Sequence, residues 1–300
     1  MKEKIKILII GYGSIGKKHL KVLRNIKYKK EIFILSERNF SNKIFVNRHA
    51  IKNINPDYII ICSKTSSHLR DVKFVEKTLE KKIVLIEKPV FNSLNKFKPR
   101  KNKYFVNYQL RLHPIIKKLK EIASNKKILN LQVSCNSFLP AWRNTEYKKS
   151  YSSQKRLGGG VLLDLSHELD YILWIFKNVS VNYSKIEKNS KLNINSEDHA
   201  SVLGKISNKG IYHLNLSYFS RISNRKILLD CNEFSFEGDL IKNYFKFESS
   251  KKKITKFYKI SQSKLLSNVH KKIIEKDFKD LCSFKEGLQV LKLIKKIKKV

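Results

Sequence analysis

Cysteine is scarce in this chain of 300 residues. The four cysteines, Cys62, Cys135, Cys231 and Cys282, are widely separated, and no C-x-x-C pair occurs. Such spacing argues against a structural zinc site and against a disulfide framework. Isolated thiols are typical of a reducing compartment, so we expect a cytoplasmic protein that binds no metal.

Long apolar runs are also missing. No stretch approaches the roughly 18 consecutive apolar residues that a membrane span requires, so we expect no membrane association. The N-terminal sequence MKEKIKILIIGYG has a charged start and a short apolar run. That run ends in a glycine turn, where a signal peptide would carry a small-residue cleavage site, and it therefore predicts a first β-strand.

Acidic residues and arginine are few relative to lysine. The chain has 64 basic and 25 acidic residues, a net charge of +39, and ten of the basic residues are arginine. Nucleic-acid readers usually cluster their charge and use arginine for bidentate contacts, whereas here lysine is spread through every segment. We favour a lysine-biased composition over a polyanion-binding surface, which would show a steep salt dependence. A positive field would still attract phosphorylated ligands.

Strands alternate with helices in residues 1–111. Apolar runs at 4–10, 31–35, 57–63, 83–89 and 103–109 predict strands, and helical periodicity is found up to about residue 27 and over 67–82. The interval 36–56 is short and polar, with room for at most one reduced helix and strand. The alternation predicts a doubly wound parallel sheet of the Rossmann type.

Residues 112–300 have a different character. A helix over about 114–123 and a strand over 128–138 precede a loop and an apolar helix at 158–176. Alternating polar and apolar stretches follow, and they predict an open, mostly antiparallel sheet in a C-terminal α/β domain. We expect its exposed face to mediate homo-oligomerisation, since unpaired apolar sheet faces are usually covered.

The stretch GYGSIG, residues 11–16, has the spacing G-x-G-x-x-G directly after a buried strand and at the start of a helix. In that context Gly11 permits the tight turn, Gly13 lets the backbone approach a pyrophosphate, and Gly16 allows close packing. The helix start at Ser14 and Ile15 supplies amide groups and the positive end of the helix dipole. We therefore predict a dinucleotide site here.

The second predicted strand ends in Ser36, Glu37 and Arg38, where a Rossmann domain places its ribose reader. A carboxylate favours the free 2′-hydroxyl of NAD, whereas serine with arginine suits the 2′-phosphate of NADP. Both chemistries are present, so NAD and NADP both stay open.

Lys88 stands in the sequence EKP, residues 87–89, at the end of a predicted strand. Ligands of open α/β sheets bind beyond the carboxyl ends of the strands, and a following proline restricts the lysine backbone. Lys88 is one lysine among many, but its position makes it a candidate proton donor, or hydrogen-bond donor to a substrate hydroxyl.

The helix predicted at 158–176 carries Asp164, His167 and Asp170 in an apolar sequence preceded by three glycines. On a helical wheel of about 100° per residue, the apolar side chains fill one arc and leave Asp164 and His167 outside it. Asp164 could orient the imidazole for proton transfer, or the pair could be purely structural. A metal site is disfavoured because HELD is not H-E-x-x-H. The glycines would let the backbone approach a sugar or nicotinamide, and Asp170 is either a substrate contact or a surface residue.

These motifs together resemble the Gfo/Idh/MocA family of oxidoreductases. The resemblance extends over nearly the whole chain, through GYGSIGKKH, CSKTSSH, EKP, VNYQLRLHP, GGGVLLDLSHELDYILWIF and FKEGLQVLKLIKK. It implies an N-terminal Rossmann domain, a C-terminal domain with an open antiparallel sheet, and NAD(P)-linked hydride transfer at a sugar or polyol carbon. It also implies that Lys88 and His167 transfer the proton, with Asp164 in support.

The same motifs supply further candidates. For the cofactor they add Ser63, His68 and Glu87, and for the substrate they add Asn107, Arg111, Trp142, Arg143, Tyr151 and Asp170. The stretch WRNTEYKKSYS, residues 142–152, resembles the substrate loop of a branch found around surface-sugar biosynthesis. In the common family pattern three residues separate the aspartate from the histidine, whereas two separate them here.

The leading hypothesis is therefore an oxidoreductase that acts on a sugar, a polyol or a nucleotide sugar. The alternative is a dinucleotide-binding regulator of the same fold that has no turnover. The presence of Lys88, Asp164 and His167 argues against this alternative, since a sensor has no use for a proton-transfer set.

Overall fold

The computed structural model describes residues 4–37, 44–142, 146–206 and 210–300. The chain divides into two compact units. The first consists of Met1–Leu112 with Ser261–Leu288, and the second of His113–Ile260 with Gln289–Val300. We describe each unit separately.

The first unit contains a seven-stranded sheet with the order β15-β6-β5-β4-β1-β2-β3. Its strands are β1 (Ile5–Ile10), β2 (Lys30–Leu35), β3 (Phe45–Val46), β4 (Tyr58–Ile61), β5 (Ile83–Ile86), β6 (Lys103–Val106) and β15 (Cys282–Ser283). Its helices are α1 (Ser14–Arg24), α2 (Ala50–Ile54), α3 (His68–Thr78) and α7 (Gln262–Ile274). Helix α8 (Phe284–Ile297) begins in this unit.

All pairings in this sheet are parallel except that of β15 with β6. The central strand β1 has Ile7, Leu8 and Ile9 at 0% exposure, as expected for a parallel strand covered on both faces. The predicted doubly wound parallel sheet is confirmed. The short strand β3 and the five-residue helix α2 are the reduced elements expected over 36–56.

The predicted domain boundaries placed residues 261–288 in the C-terminal domain, and the structure differs on this point. In the structure these residues belong to the first unit, because Cys282 pairs with Val106 in an antiparallel edge strand and α7 packs against α1. Both contacts join segments far apart in sequence, and local patterning cannot show such contacts.

The second unit contains an eight-stranded sheet with the order β14-β13-β12-β11-β7-β10-β9-β8. Its strands are β7 (Ile128–Phe138), β8 (Val179–Glu187), β9 (His199–Ile206), β10 (Gly210–Ser217), β11 (Phe219–Cys231), β12 (Phe234–Asp239), β13 (Tyr244–Ser249) and β14 (Lys253–Phe257). Its helices are α4 (Pro114–Ala123), α5 (Val161–Asp164) and α6 (His167–Phe176).

This sheet is antiparallel except between β10 and β7, as the sequence predicts. Strand β10 shows the alternation clearly. Tyr212, Leu214 and Leu216 are buried, whereas Ile211 is 46% exposed on the opposite face. One face of the sheet therefore belongs to the core, with α5 and α6 packed on it.

The apolar helix predicted at 158–176 is not continuous. Helix α5 ends at Asp164, α6 begins at His167, and Leu165 between them has a non-helical backbone (φ −95°, ψ 28°). Asp164 and His167 therefore lie on two separate helices, and the prediction that placed both on one helical wheel is wrong. Residues 158–172 are all buried, so contacts with the sheet outweigh a regular helical ladder here.

No helix in the described ranges is long and apolar enough to cross a membrane. All four cysteines are buried and none forms a disulfide.

Candidate functional site

The glycine turn follows β1 and leads into α1. Gly11 has φ +99°, a conformation that other residues rarely adopt. A Cβ on Gly11 would lie 2.6 Å from the amide nitrogen of Ser63, and one on Gly16 would lie 2.3 Å from the carbonyl oxygen of Gly11. Gly11 thus makes the tight turn, and Gly16 lets α1 pack closely against it.

Gly13 is different because a Cβ there would meet no atom within 4 Å. It is the N-cap of α1, and both it and the next residue, Ser14, are exposed, while Ile15 is half-buried. As a glycine, the N-cap residue makes no side-chain hydrogen bond to the first amides of the helix. Open space above a helix N-terminus with available amides suits a dinucleotide pyrophosphate, so these residues fit the cofactor that the motif implies.

The end of β2 carries the predicted ribose readers. Ser36 is half-buried, and Glu37 is exposed with its carboxylate 2.8 Å from the Arg70 guanidinium of α3. Arg70 also bonds the buried Asp71, which accepts from Arg48 at 2.9 Å. The sequence reading did not single out this acid–arginine network. Arg38 lies outside the described residues.

Lys88 stands directly beyond the carboxyl end of β5 and is half-buried. Its backbone amide donates to the Glu87 carboxylate at 3.2 Å. The side chain of Glu87 is turned into the protein, where it bonds His19 Nε2 at 2.8 Å and accepts from Asn107. Glu87 and Asn107 thus bond each other inside the first unit, and the predicted cofactor contact of Glu87 and substrate contact of Asn107 stay predictions.

Burial by itself raises the pKa of Glu87, but hydrogen bonds from His19 and Asn107, together with the charges of His19 and Lys88, outweigh it. The pKa of Glu87 is therefore lowered. The carboxylate stays ionised beside Lys88, although the residue is only 8% exposed.

Ser63 and His68 follow β4, the strand between β1 and β5. The His68 ring lies with Nε2 3.1 Å from the Ser63 carbonyl and Nδ1 3.1 Å from that of Pro89. His68 is 1% exposed, and burial lowers its pKa against the opposing effect of these carbonyls. The ring thus ties the loop after β4 to the turn that holds Lys88, and the predicted cofactor contact of His68 stays a prediction. The Ser63 hydroxyl is buried and has no hydrogen-bond partner among the residues that the structure describes.

Arg111 is 2% exposed, and its guanidinium lies 2.7 Å from Glu286 at the start of α8. Glu286 also accepts from Ser283 of the edge strand β15. Through these contacts Arg111 fixes the segment 283–286, which includes the end of β15 and the start of α8. A substrate contact of Arg111 stays a prediction.

In the second unit, three glycines precede α5, and Gly159 and Gly160 lie against the protein's own atoms. A Cβ on Gly159 would meet the Tyr151 carbonyl at 2.3 Å, and one on Gly160, where φ is +120°, would meet the Glu197 carboxylate at 2.5 Å. Internal packing therefore requires glycine at 159 and 160, and the approach of this backbone to a sugar or nicotinamide stays a prediction.

Asp164 ends α5 and is 3% exposed. It accepts a 2.7 Å hydrogen bond from the hydroxyl of Tyr218, which directly follows β10 and is fully buried. Trp142 stacks edge-on against Tyr218 with ring centroids 5.3 Å apart, and Tyr151 is close enough to influence it electrostatically. Thus Asp164, Trp142 and Tyr151, all predicted site residues, are grouped around Tyr218. Arg143 lies outside the described residues.

His167 begins α6 and is 9% exposed. Asp170, one turn later, is 1% exposed. The alternative of a helix-surface Asp170 is therefore wrong, and its substrate role stays a prediction. Glu168, between them, is fully buried and pairs with Arg225 of β11 at 2.6 Å. Burial of a charge requires such a partner.

Residues missed by the sequence reading include His19, His270 and Tyr218. His19 lies three residues beyond the glycine motif, and Tyr218 follows an alternating strand, so each had a local signal. His270 had none, since its position on α7 becomes meaningful only through contacts across more than two hundred residues. Within the described ranges, no group of three or more His, Cys, Asp or Glu side chains could hold a metal ion.

Two family models match the chain. Residues 5–102 match "Oxidoreductase family, NAD-binding Rossmann fold", and residues 116–237 match the "GFO/IDH/MocA C-terminal domain". The uncharacterized oxidoreductase YrbE of Bacillus subtilis (strain 168) is 30% identical over 206 aligned positions, and the match covers 62% of this chain. The match spans 58% of that relative, less than two thirds of its length.

Solved structures with the same fold include levoglucosan dehydrogenase in complex with NADH, with a TM-score of 0.82, 14% identity, and coverage of 99% of this chain and 96% of that one. Another is the UDP-N-acetylglucosamine 3-dehydrogenase GnnA of Acidithiobacillus ferrooxidans, with a TM-score of 0.76, 16% identity, and coverage of 99% and 97%. At these identities the likeness concerns the fold.

Proposed function

Because the chain belongs to the Gfo/Idh/MocA family, whose N-terminal domains are NAD-binding Rossmann folds, we propose that it is an NAD-dependent dehydrogenase or reductase. Its substrate is a sugar, a polyol or a nucleotide sugar, and the hydride is transferred at a carbinol or keto carbon of that substrate. NAD, when bound, supplies the carbon that accepts or donates a hydride.

One arrangement in the first unit carries this proposal. Gly11 follows β1, Ser63 follows β4 and Lys88 follows β5, and these three strands are parallel neighbours. Their carboxyl ends lie at one edge of the sheet, where open α/β folds bind their ligands. A dinucleotide turn and an ammonium group therefore share that edge. A module that only binds a nucleotide has no need for the ammonium group.

In this proposal the Lys88 ammonium donates a hydrogen bond to the reacting oxygen and stabilises negative charge that develops there. His167 takes the hydroxyl proton during oxidation and returns it during reduction. Asp164 supports the imidazole, and its own position is maintained by Tyr218. These roles assign no step to a metal.

The cofactor is NAD rather than NADP because of the carboxylate of Glu37. This group can accept from a ribose 2′-hydroxyl and would repel a 2′-phosphate. Phosphate-bearing substrates suit the overall charge of +39. Levoglucosan dehydrogenase and the UDP-N-acetylglucosamine dehydrogenase, both of this fold, support a carbohydrate as the class of substrate.

The test combines cofactor titration with a substrate screen. Binding of NADH and NADPH is followed by fluorescence, and polyols, free sugars and nucleotide sugars are screened for oxidation, with ketosugars for reduction. Lys88→Met and His167→Asn should each abolish turnover while nearly preserving NADH affinity, and Lys77→Met, a change of an exposed lysine in the last turn of α3, should leave both unchanged. Wild-type rates in both active-site variants would refute the proposed roles, and absence of NADH binding would refute the enzyme.

We further propose that the chain self-associates through the exposed face of the second sheet. Ile211 of β10 is 46% exposed and Leu129 on the neighbouring strand β7 is 43% exposed. Apolar side chains on a sheet face favour cover by another surface. Light scattering on the wild type and on Ile211→Lys tests this, since the variant should shift the mass toward the monomer. A monomeric wild type would contradict it.

A further inference from the structure

A line of four hydrogen-bonded side chains crosses the core of the first unit. His19 Nε2 lies 2.8 Å from Glu87, and His19 Nδ1 lies 3.0 Å from His270 Nε2. His270 Nδ1 in turn lies 2.9 Å from the Tyr58 hydroxyl. His19 and His270 are fully buried, and Tyr58 is 1% exposed. The proposed catalytic roles use none of these three residues.

The ionised carboxylate of Glu87 determines which ring nitrogen of His19 carries a proton. An ionised carboxylate can only accept hydrogen bonds, so His19 must carry its proton on Nε2 in every protonation state that keeps the contact. Burial, followed by the charge of His19, holds the pKa of His270 well below its usual range, and that ring is neutral. When His19 is neutral, all bonds run in one direction, from Tyr58 through His270 and His19 to Glu87.

This line joins four separate elements. Tyr58 begins β4, Glu87 follows β5, His270 lies on α7, and His19 lies on α1, the helix whose N-terminus forms the glycine turn. Two buried imidazoles inside an apolar core are costly, because each polar group left without a partner costs about 1 to 3 kcal/mol. Apolar side chains would fill the same volume at lower cost, so packing by itself does not explain them.

The Glu87 carboxylate, at the end of the line, also accepts a hydrogen bond from the backbone amide of Lys88. Glu87 is also held by Asn107, which follows β6. The position of the Lys88 backbone is thereby linked, through one carboxylate, to the helix that presents the glycine turn.

We propose that His19 is a positioning residue that, through Glu87, fixes the Lys88 turn relative to the glycine turn. His270 and Tyr58 support it by holding the other side of its ring. This inference deepens the proposed dehydrogenase function and rests on it for the role of Lys88. It adds that the buried line is required for turnover rather than for cofactor affinity.

The experiment compares substitutions along the line. His19→Leu removes the donor to Glu87, and we expect kcat to fall about 10- to 100-fold, as for a reacting group displaced by about 1 Å, with little change in the KM for NADH. His19→Gln keeps an N–H donor at the position of Nε2 and should restore most of the rate. Tyr58→Phe, at the far end, should lower kcat less.

Tyr104→Phe is the matched control for Tyr58→Phe. Tyr104 is 4% exposed in the same sheet, and its hydroxyl donates to Glu76 at 2.9 Å, away from Lys88. This control should lose stability to a similar degree and keep the wild-type kcat. Equal rates for His19→Leu and wild type, or equal losses for the two tyrosine variants, would overturn the inference.

A second readout does not depend on activity. Hydrogen exchange of the Lys88 amide should accelerate in His19→Leu, return toward the wild-type rate in His19→Gln, and stay unchanged in Tyr104→Phe. Nitrogen-15 NMR of the unliganded protein should show His19 protonated on Nε2. If no substrate is turned over, the proposed function fails while these two measurements still decide the positioning role. Unchanged exchange in His19→Leu would refute it. If His19→Leu does not fold, His270→Gln and Tyr58→Phe provide the same comparison.

Discussion

Tyr218 and Asp164 form a buried hydrogen bond of 2.7 Å between the residue that follows β10 and the last residue of α5. The acceptor is a candidate catalytic carboxylate, and the donor lies 54 positions further along the chain. The hydroxyl keeps its proton, because burial, followed by the adjacent carboxylate, raises the pKa of Tyr218 well above its usual range. Tyr218 therefore acts as a fixed donor to Asp164.

Tyr218→Phe should destabilise the protein by about 1 to 3 kcal/mol, since a buried carboxylate oxygen loses its donor. Turnover should fall as well, because Asp164 supports His167 in the proposed site. Urea unfolding and kcat measure the two effects. Tyr244→Phe is the control, as the Tyr244 hydroxyl bonds Glu237 at a half-exposed position. A Tyr218→Phe variant with normal stability and rate would contradict the role assigned to this bond.

The glycine turn allows binding and folding to be separated. Gly13→Ala should lower stability by no more than about 1 kcal/mol, the cost of alanine at an N-cap, because its Cβ meets open space, while NADH affinity falls at least about tenfold as the methyl group occupies the pyrophosphate approach. Gly16→Ala should instead destabilise the fold, because its Cβ would lie 2.3 Å from a backbone carbonyl. Thermal unfolding and NADH titration of both variants test this. Unaltered NADH affinity in Gly13→Ala would place the cofactor elsewhere.

Glu37→Ser should raise the affinity for NADPH relative to NADH. The substitution removes the carboxylate that would repel a 2′-phosphate and frees Arg70, now 2.8 Å from Glu37, to bind it. The ratio of the two dissociation constants is the measurement. Glu80→Ser, at an exposed position of the same unit, controls for the change in net charge. An unchanged ratio would mean that Glu37 does not read the ribose.

His113 makes stability sensitive to acid. Its Nδ1 caps α4 by accepting from the Ile115 amide, and burial lowers the pKa of His113 to about 4. The unfolded chain binds this proton near pH 6.5, so stability is complete above that pH and falls as the pH drops toward 4. The loss reaches about 3 kcal/mol from this residue.

His113→Asn keeps an oxygen that can accept from the helix amide but has no titratable ring. We expect the variant to lose less stability than the wild type between pH 6.5 and pH 4. Denaturant midpoints measured across that range provide the comparison. Parallel curves for the two proteins would rule out His113 as the source. His68 and His270, whose pKa values are also lowered by burial, leave a residual slope of the same sign.

The parallel strands β1, β2, β4, β5 and β6 could be predicted, because each is a continuous apolar run and the glycine spacing marks the first turn. Lys88 could be proposed for the same reason, since a motif at the end of a strand has a defined place in such a sheet. The helix at 158–176 was harder. Its periodicity suggested one amphipathic helix. In the structure, Tyr218 after β10 and Arg225 of β11 are partners for Asp164 and Glu168, and the helix breaks between those two acidic residues.

The sequence by itself determined the two kinds of sheet, the dinucleotide turn and the family, and it supplied the residues that we propose for proton transfer. These follow from local patterns with periods of two or three to four residues and from short motifs. Only the tertiary structure decided that residues 261–288 return to the first unit, that Glu87 bonds His19, and that His19 bonds His270. Such pairings join segments up to 251 positions apart. They are selected by burial and hydrogen bonding in the folded core, which local sequence patterns do not encode.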